Sequence, residues 1–331
     1  MDRRGLWLVS ALALTNAAAA ILLDHGKFAV GFGWSGLRLV LLSVFLPALG
    51  WVLWQPIRLA LAHHQHPIRE LSSVFVTQSP RLANVIIVMG LFLINANSVG
   101  VFKSSIPNIM PFYADPLFTS LDRMIFGTDP WRITHSLMPG TTFFFDRLYV
   151  TWFIGLYGSI VVLAFSTDAK KQFTGLLAFT LIWIVLGQIC ATLMSSVGPI
   201  LVGGVLGDSY FDPLLSELRR APGLFALMTA ERLMSMDSGI GAGISAMPSL
   251  HVAMAVFWVL LTRLYCPRLT IFAAIYALLI WIASFHLGWH YALDGIVSLI
   301  GVLLIWRIVH WAANLVFIES APVWSSRPAH Q

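Results

Sequence analysis

The chain has 331 residues, 58% hydrophobic and 11% charged, with a formal net charge of +5 and a mean hydropathy of +0.81. Soluble domains carry roughly 45–50% apolar and about 25% charged residues. These numbers argue against a soluble enzyme, a disordered chain and a disulfide-built secreted domain, and leave an all-α polytopic membrane protein. The 20 basic residues are scattered singly or in pairs, which gives no nucleic-acid-binding patch. Cys190 and Cys266 lie in or beside apolar runs and need no disulfide.

A membrane-spanning helix needs about 20 mostly apolar residues. In chain order the apolar runs predict eight spans, at 6–23, 36–54, 82–102, 148–166, 174–196, 248–264, 269–287 and 290–312. The first follows Arg3 and Arg4 and ends in alanines at 17–20, a pattern shared with cleaved signal sequences. Its long apolar core and the span close behind it favour an uncleaved helix. The predicted organisation is two additional N-terminal helices (1–81), a six-helix catalytic membrane core (82–316) with outer loops 103–147 and 198–247, and a tail (317–331).

Lys and Arg set orientation. With the amino terminus inside, the inner segments hold 11 of the 20 basic and four of the 15 acidic residues, a net of +7 against −2 outside. The prediction is therefore a multi-pass protein of the cell's inner (plasma) membrane with both termini cytoplasmic. The two long loops fall on the outer, periplasmic face. One is proline-rich, with Tyr113-Ala114-Asp115-Pro116 and Phe126-Gly127-Thr128-Asp129-Pro130-Trp131; the other ends in glycine-rich 239–243. Loops this long are usually functional. Trp131, Trp152 and Trp289 read as interfacial anchors, with Trp289 also placed to line a site beside His290.

Ionisable groups at or inside membrane helices are costly and point to function. In Ala246-Met247-Pro248-Ser249-Leu250-His251, Pro248 suits a first helical turn, and the N–H groups after it form an anion site. Alone, this motif is better read as an ordinary interfacial histidine than as a catalytic one. In Ser284-Phe285-His286-Leu287-Gly288-Trp289-His290-Tyr291-Ala292-Leu293-Asp294, His290 and Asp294 are four apart and share a helix face. The carboxylate can hold one ring proton and leave the other nitrogen as nucleophile or base; a purely structural pair is the alternative. Ser195-Ser196-Val197-Gly198-Pro199, taken alone, reads as a helix terminus. Pro199, His251, His286, His290 and Asp294 all come out on the outer face.

The order Gly-Pro, Pro-Ser-Leu-His, His-x-x-x-Asp resembles the type-2 phosphatidic acid phosphatase superfamily. His290-Tyr291-Ala292-Leu293-Asp294 is more closely similar to its inositol phosphorylceramide synthase-like branch. Ala114-Asp115-Pro116-Leu117, Leu121-Asp122-Arg123 and His286-Leu287-Gly288-Trp289 look like bacterial members. The resemblance is specific over about 195–300, looser over 112–131 and absent from the first two helices. It implies that His290 attacks phosphorus to give a phosphohistidine, that Asp294 orients it, and that His251 serves as general acid and base. Ser249 and the N–H groups around it would bind phosphoryl oxygens. Pro248, Gly198, Pro199, His286, Ser284 and Arg123 are the further substrate-binding candidates. No metal or other cofactor is implied. The partners are a membrane lipid substrate and an alcohol or water acceptor.

One departure bears on substrate. The wider superfamily has a Lys and an Arg before its first-motif Pro and an Arg six residues before the nucleophilic His. This chain has Ser195-Ser196-Val197-Gly198-Pro199 and Ser284 there. A monoester dianion would lack its cations unless Lys103, Arg123, Arg147 or Arg232 reaches in. A singly charged phosphodiester asks for less. The expectation is phosphotransfer from a phosphodiester lipid, with a lipid monoester phosphatase of the same superfamily as the alternative.

Two other classes compete. A diiron enzyme would use His286 and His290 with His63, His64 and His66, but the orientation puts these on opposite faces, whereas one metal cluster needs its ligands together. A transporter would use Asp294 as an ion site, yet the polar groups gather at one face and no inverted repeat is visible.

Overall fold

The computed structural model describes residues 3–24, 46–61, 67–234 and 245–318, and among these every regular element is helical. That follows from the solvent: in a bilayer each backbone N–H and C=O must be paired within its own segment or buried in protein. Helix α1 (Arg3–Asp24) packs along the 43-residue α3 (Pro67–Ile109), and α2 (Leu46–Leu61) also touches α3. The second predicted span, 36–54, lies largely outside the described residues, as do the 239–243 glycines and the His63, His64 and His66 cluster.

Six helices among the described residues are long and apolar enough to cross a membrane: Gly5–Leu23, Arg81–Ile109, Thr142–Ala164, Ala169–Leu193, Pro267–His286 and Ala292–Phe317. A seventh apolar helix, Leu250–Tyr265, is shorter, with 16 residues. The chain is thus an all-α polytopic membrane protein.

The connections between spans are more ordered than their proline content predicts. The 103–147 segment folds into α4 (Asp115–Phe126) and α5 (Pro130–Leu137), then enters the span formed by α6 (Thr142–Val150) and α7 (Trp152–Ala164). Helix α8 (Ala169–Leu181) runs on through a π-helical stretch, Ile182–Cys190, to Leu193. After it come α9 (Pro199–Leu206), α10 (Asp212–Arg220) and α11 (Phe225–Met234). Prolines sit in the first turns of α4, α5, α9 and α10, where the missing N–H would have had no intrahelical partner. They start helices here.

The last three helices, α12 (Leu250–Tyr265), α13 (Thr270–His286) and α14 (Ala292–Ile318), pack against one another, and α12 and α14 also pack against α8. Phe173, Ile182, Met254, Phe257 and Ile280 are fully buried between them. At the π-helical stretch Gly187 has no Cβ, and one placed there would sit 2.9 Å from Leu250 Cδ1. The close approach brings the first turn of α12 into the bundle.

The bundle has two chemically distinct ends. At one, Tyr265 donates to Ser166 at 2.8 Å and Lys171 lies 5.8 Å from the Tyr265 ring centroid. At the other lie the last turn of α8, the first turns of α12 and α14, and the two folded connections. Every histidine and carboxylate singled out over 195–300 is at this second end.

Candidate active site

Two segments without helical structure meet at this end, and a single carboxylate joins them. Asp115, buried in the first turn of α4, accepts from Val197 N–H at 2.9 Å and Gly198 N–H at 2.9 Å, and from the Tyr291 hydroxyl at 2.8 Å. Burial and the Asp115 carboxylate push the Tyr291 phenol well above its usual range, so it donates as a neutral O–H. Gly198 has φ +89°, and a Cβ there would meet the Trp289 carbonyl oxygen at 2.5 Å. Ile200 N–H donates to the Gly288 carbonyl at 2.8 Å. The Gly-Pro motif thus supports the loop carrying His290.

Asp122 supports the same loop from the other side. Its two oxygens accept from Ala292 N–H at 2.8 Å and Leu293 N–H at 2.9 Å, capping α14 from another helix. Burial pushes its carboxyl up to about 6, partly offset by those two N–H bonds.

The central geometry is at His290. Its Nδ1 lies 2.7 Å from the Ala246 carbonyl oxygen and 3.1 Å from Asp294 Oδ2. Both partners are acceptors, so the ring proton resides on Nδ1 and the lone pair on Nε2. Asp294 Oδ2 also accepts from Tyr291 N–H at 3.1 Å, while Oδ1 is buried without a hydrogen bond among the described residues. The Ser298 hydroxyl sits 2.8 Å from the Ser249 carbonyl and 2.7 Å from the Asp294 carbonyl, tying α12 to α14.

His251 lies across from this pair, with its ring centroid 6.3 Å from that of His290. It is held by aromatic faces: Tyr149 stacks on it at 4.3 Å and 16°, and Trp152 lies at 4.3 Å. Trp152 Nε1–H donates to the His251 carbonyl at 3.1 Å. Ser249 caps α12, its hydroxyl accepting from Val252 N–H at 3.4 Å. Pro248 therefore precedes the cap instead of occupying the first helical turn, because Ser249 supplies the side-chain acceptor the cap needs.

The other candidates are placed differently. His286 is fully buried and stacked on His135 at 3.9 Å. Its Nδ1 meets Thr134 at 2.9 Å and its Nε2 meets Thr142 at 3.1 Å. Thr134 commits its own proton to the Trp131 carbonyl, so His286 donates through Nδ1 and accepts at Nε2. Both nitrogens are spent in the wall. Ser284 donates to the Trp281 carbonyl at 2.6 Å, and its own carbonyl accepts from His290 N–H at 3.2 Å. Arg123 donates to the Tyr210 hydroxyl at 3.1 Å, and Tyr210 in turn donates to Asp129 at 3.0 Å. Arg147 is engaged with the Gly223 carbonyl at 2.7 Å and with the Phe225 ring.

Trp131 and Trp152 correct the sequence expectation. They are 5% and 4% exposed, so they are core residues of the site and not interfacial anchors. Aromatic side chains suit either place in an apolar chain, and position along the sequence does not separate the two. Asp115 and Asp122 are visible in the sequence only as part of a resemblance; the additional signal is a carboxylate standing in an otherwise apolar, aromatic run.

A family model described as the PAP2 superfamily matches residues 121–308. The chain belongs to the PAP2 superfamily. As a PAP2 protein it is a membrane-type phosphatase or phosphotransferase, and the match runs from within α4 into α14, spanning both histidines and Asp294. A search of curated proteins and a search of solved structures found no match. Among the described residues of this PAP2 chain no group of three or more His, Cys, Asp or Glu is arranged to hold a metal ion.

Proposed function

We propose that this PAP2 protein transfers the phosphoryl-containing part of a phosphodiester lipid to an alcohol acceptor through a phosphohistidine on His290, in the manner of the inositol phosphorylceramide synthase-like branch. The observation that carries the reading is the pair of acceptors on His290 Nδ1, which leaves Nε2 as a nucleophile. Nε2 attacks phosphorus, an N–P bond forms, and the P–O bond to the leaving alcohol breaks. His251 protonates that departing oxygen. Asp294 stabilises the charge that builds on the His290 ring. In the second half the acceptor oxygen attacks phosphorus, His251 takes its proton and the N–P bond breaks. Ser249 and the first-turn N–H groups of α12 hold phosphoryl oxygens.

The preference for a phosphodiester comes from charge. The two positions where the wider superfamily keeps cations hold Ser195-Ser196-Val197-Gly198 and Ser284. The backbone of the first is bonded to Asp115, and the Ser284 hydroxyl is bonded to Trp281. A dianion gains little there. The organisation that goes with this reading is a catalytic core over 82–316 preceded by two further helices, with the site facing the outer side of the plasma membrane.

The test uses purified protein in detergent, a phospholipid with a labelled head group, and an alcohol acceptor. The expected result is the labelled head group, with its phosphate, on the acceptor and release of the lipid alcohol. Release of inorganic phosphate from phosphatidic acid without such transfer overturns the transfer reading in favour of a monoester phosphatase.

A further inference from the structure

The proposed reaction leaves one charge unaccounted for: a phosphodiester brings a single negative charge into a site whose carboxylates are already committed to scaffolding. Lys103 stands near the site end of α3. It shares a helix face with Val99 and Ile106, four residues before it and three after, which are 2% and 0% exposed. Gly100 and Pro107, its neighbours on the other side, are half-buried and exposed, so the lysine stands at the edge of the bundle-facing surface and is itself half-buried. Its ammonium is within electrostatic range of the His251 ring. Among the described residues it makes no hydrogen bond and no ion pair.

An ammonium at such a position without a counter-ion is costly, and membrane proteins keep such groups for a ligand or a partner. The other candidate cations at this end are engaged: Arg123 with Tyr210, Arg147 with Gly223 and Phe225, and Arg232 with neighbours of its own. We infer that Lys103 is the phosphate-binding cation of this site, replacing from α3 the clamp that the Gly198 and Ser284 segments lack, and that its single charge selects a phosphodiester monoanion. The inference rests on the proposed function for the identity of the anion. It places a substrate-binding residue on a helix outside the 121–308 family match.

The test reads anion binding apart from turnover. Inorganic vanadate, a tetrahedral oxyanion that accepts a fifth ligand, is titrated against the thermal unfolding of the detergent-solubilised full chain at pH 7.5. Wild type is expected to be protected in a saturable way. The half-protecting concentration should rise at least tenfold in Lys103→Gln and stay within about threefold in Lys103→Arg. Without vanadate, Lys103→Gln should melt at or above the wild-type temperature, because an uncompensated charge has been removed; a purely structural lysine would give a lower one. Equal protection of Lys103→Gln and wild type, or no protection of wild type, overturns the inference. If vanadate binds through Lys103 but no phospholipid is turned over, the proposed function fails, and with it the phosphodiester as the anion, while Lys103 stands as the oxyanion-binding cation.

Discussion

Tyr291 and Asp115, 176 positions apart, meet through a 2.8 Å hydrogen bond, and the same carboxylate holds Val197 and Gly198. The loop bearing the nucleophile candidate is therefore positioned by a residue outside the three motifs themselves. Asp115→Ala should leave two buried N–H groups and a phenol without their acceptor, at about 1–3 kcal/mol for each unsatisfied group. The expected outcome is a large fall in melting temperature together with loss of turnover. Tyr291→Phe, which removes one donor, should cost about 1 kcal/mol and keep much of the activity.

Gly198 gives a sharper geometric prediction. Its φ is +89°, and a methyl group added to its Cα would come within 2.5 Å of the Trp289 carbonyl oxygen. Gly198→Ala is therefore both strained and obstructed. It should destabilise the protein by several kcal/mol, on the order of 2–4. Gly158, in the middle of α7, has nothing within 4 Å of the same position. Gly158→Ala should be neutral or raise the melting temperature, since alanine is favoured over glycine in a helix by about 1 kcal/mol.

Asp122 predicts a pH signature. Its folded-state carboxyl is raised to about 6 from an ordinary 3.8, so the folded protein holds this proton more tightly than the unfolded chain. Its contribution to stability is full below about pH 4 and is lost as pH rises through 6, by about 1–3 kcal/mol. Subtracting the stability of Asp122→Asn from that of wild type across pH 4–7 isolates the effect. The difference should fall with pH in that window and flatten above it; a difference that rises contradicts the assignment.

Asp294→Asn keeps the size of the side chain but no longer fixes the proton on His290 Nδ1. Turnover should fall by about 1,000-fold or more, in line with removal of an orienting carboxylate elsewhere, with a melting temperature close to wild type. A fall of less than tenfold would show that the Ala246 carbonyl alone suffices to set the tautomer.

The span pattern is legible in the sequence because its cause is one-dimensional: a run of apolar residues at 82–102 or 269–287 has no stable alternative to a helix in a bilayer. His290 and Asp294 are legible for a similar reason, since their four-residue spacing maps onto one helical turn. What stays hidden in the sequence depends on long-range approach. Asp115 acts on residues 82 or more positions away, and His286, grouped with His290 by proximity, is spent on Thr134 and Thr142. Proline misleads in the connections, because the same residue that ends a helix from inside begins one at its first turn. Trp131 and Trp152 turn inward, and Trp152 holds the backbone of His251.

The central claim is that phosphorus becomes bonded to His290 Nε2. The most direct measurement is rapid acid-free quenching of purified protein mixed with a phospholipid labelled at phosphorus, followed by mapping of the labelled peptide. The expected result is acid-labile, base-stable label on His290, absent from His290→Ala and accumulating when acceptor is withheld. Undiminished turnover by His290→Ala, or label on any other residue in the wild type, would contradict it.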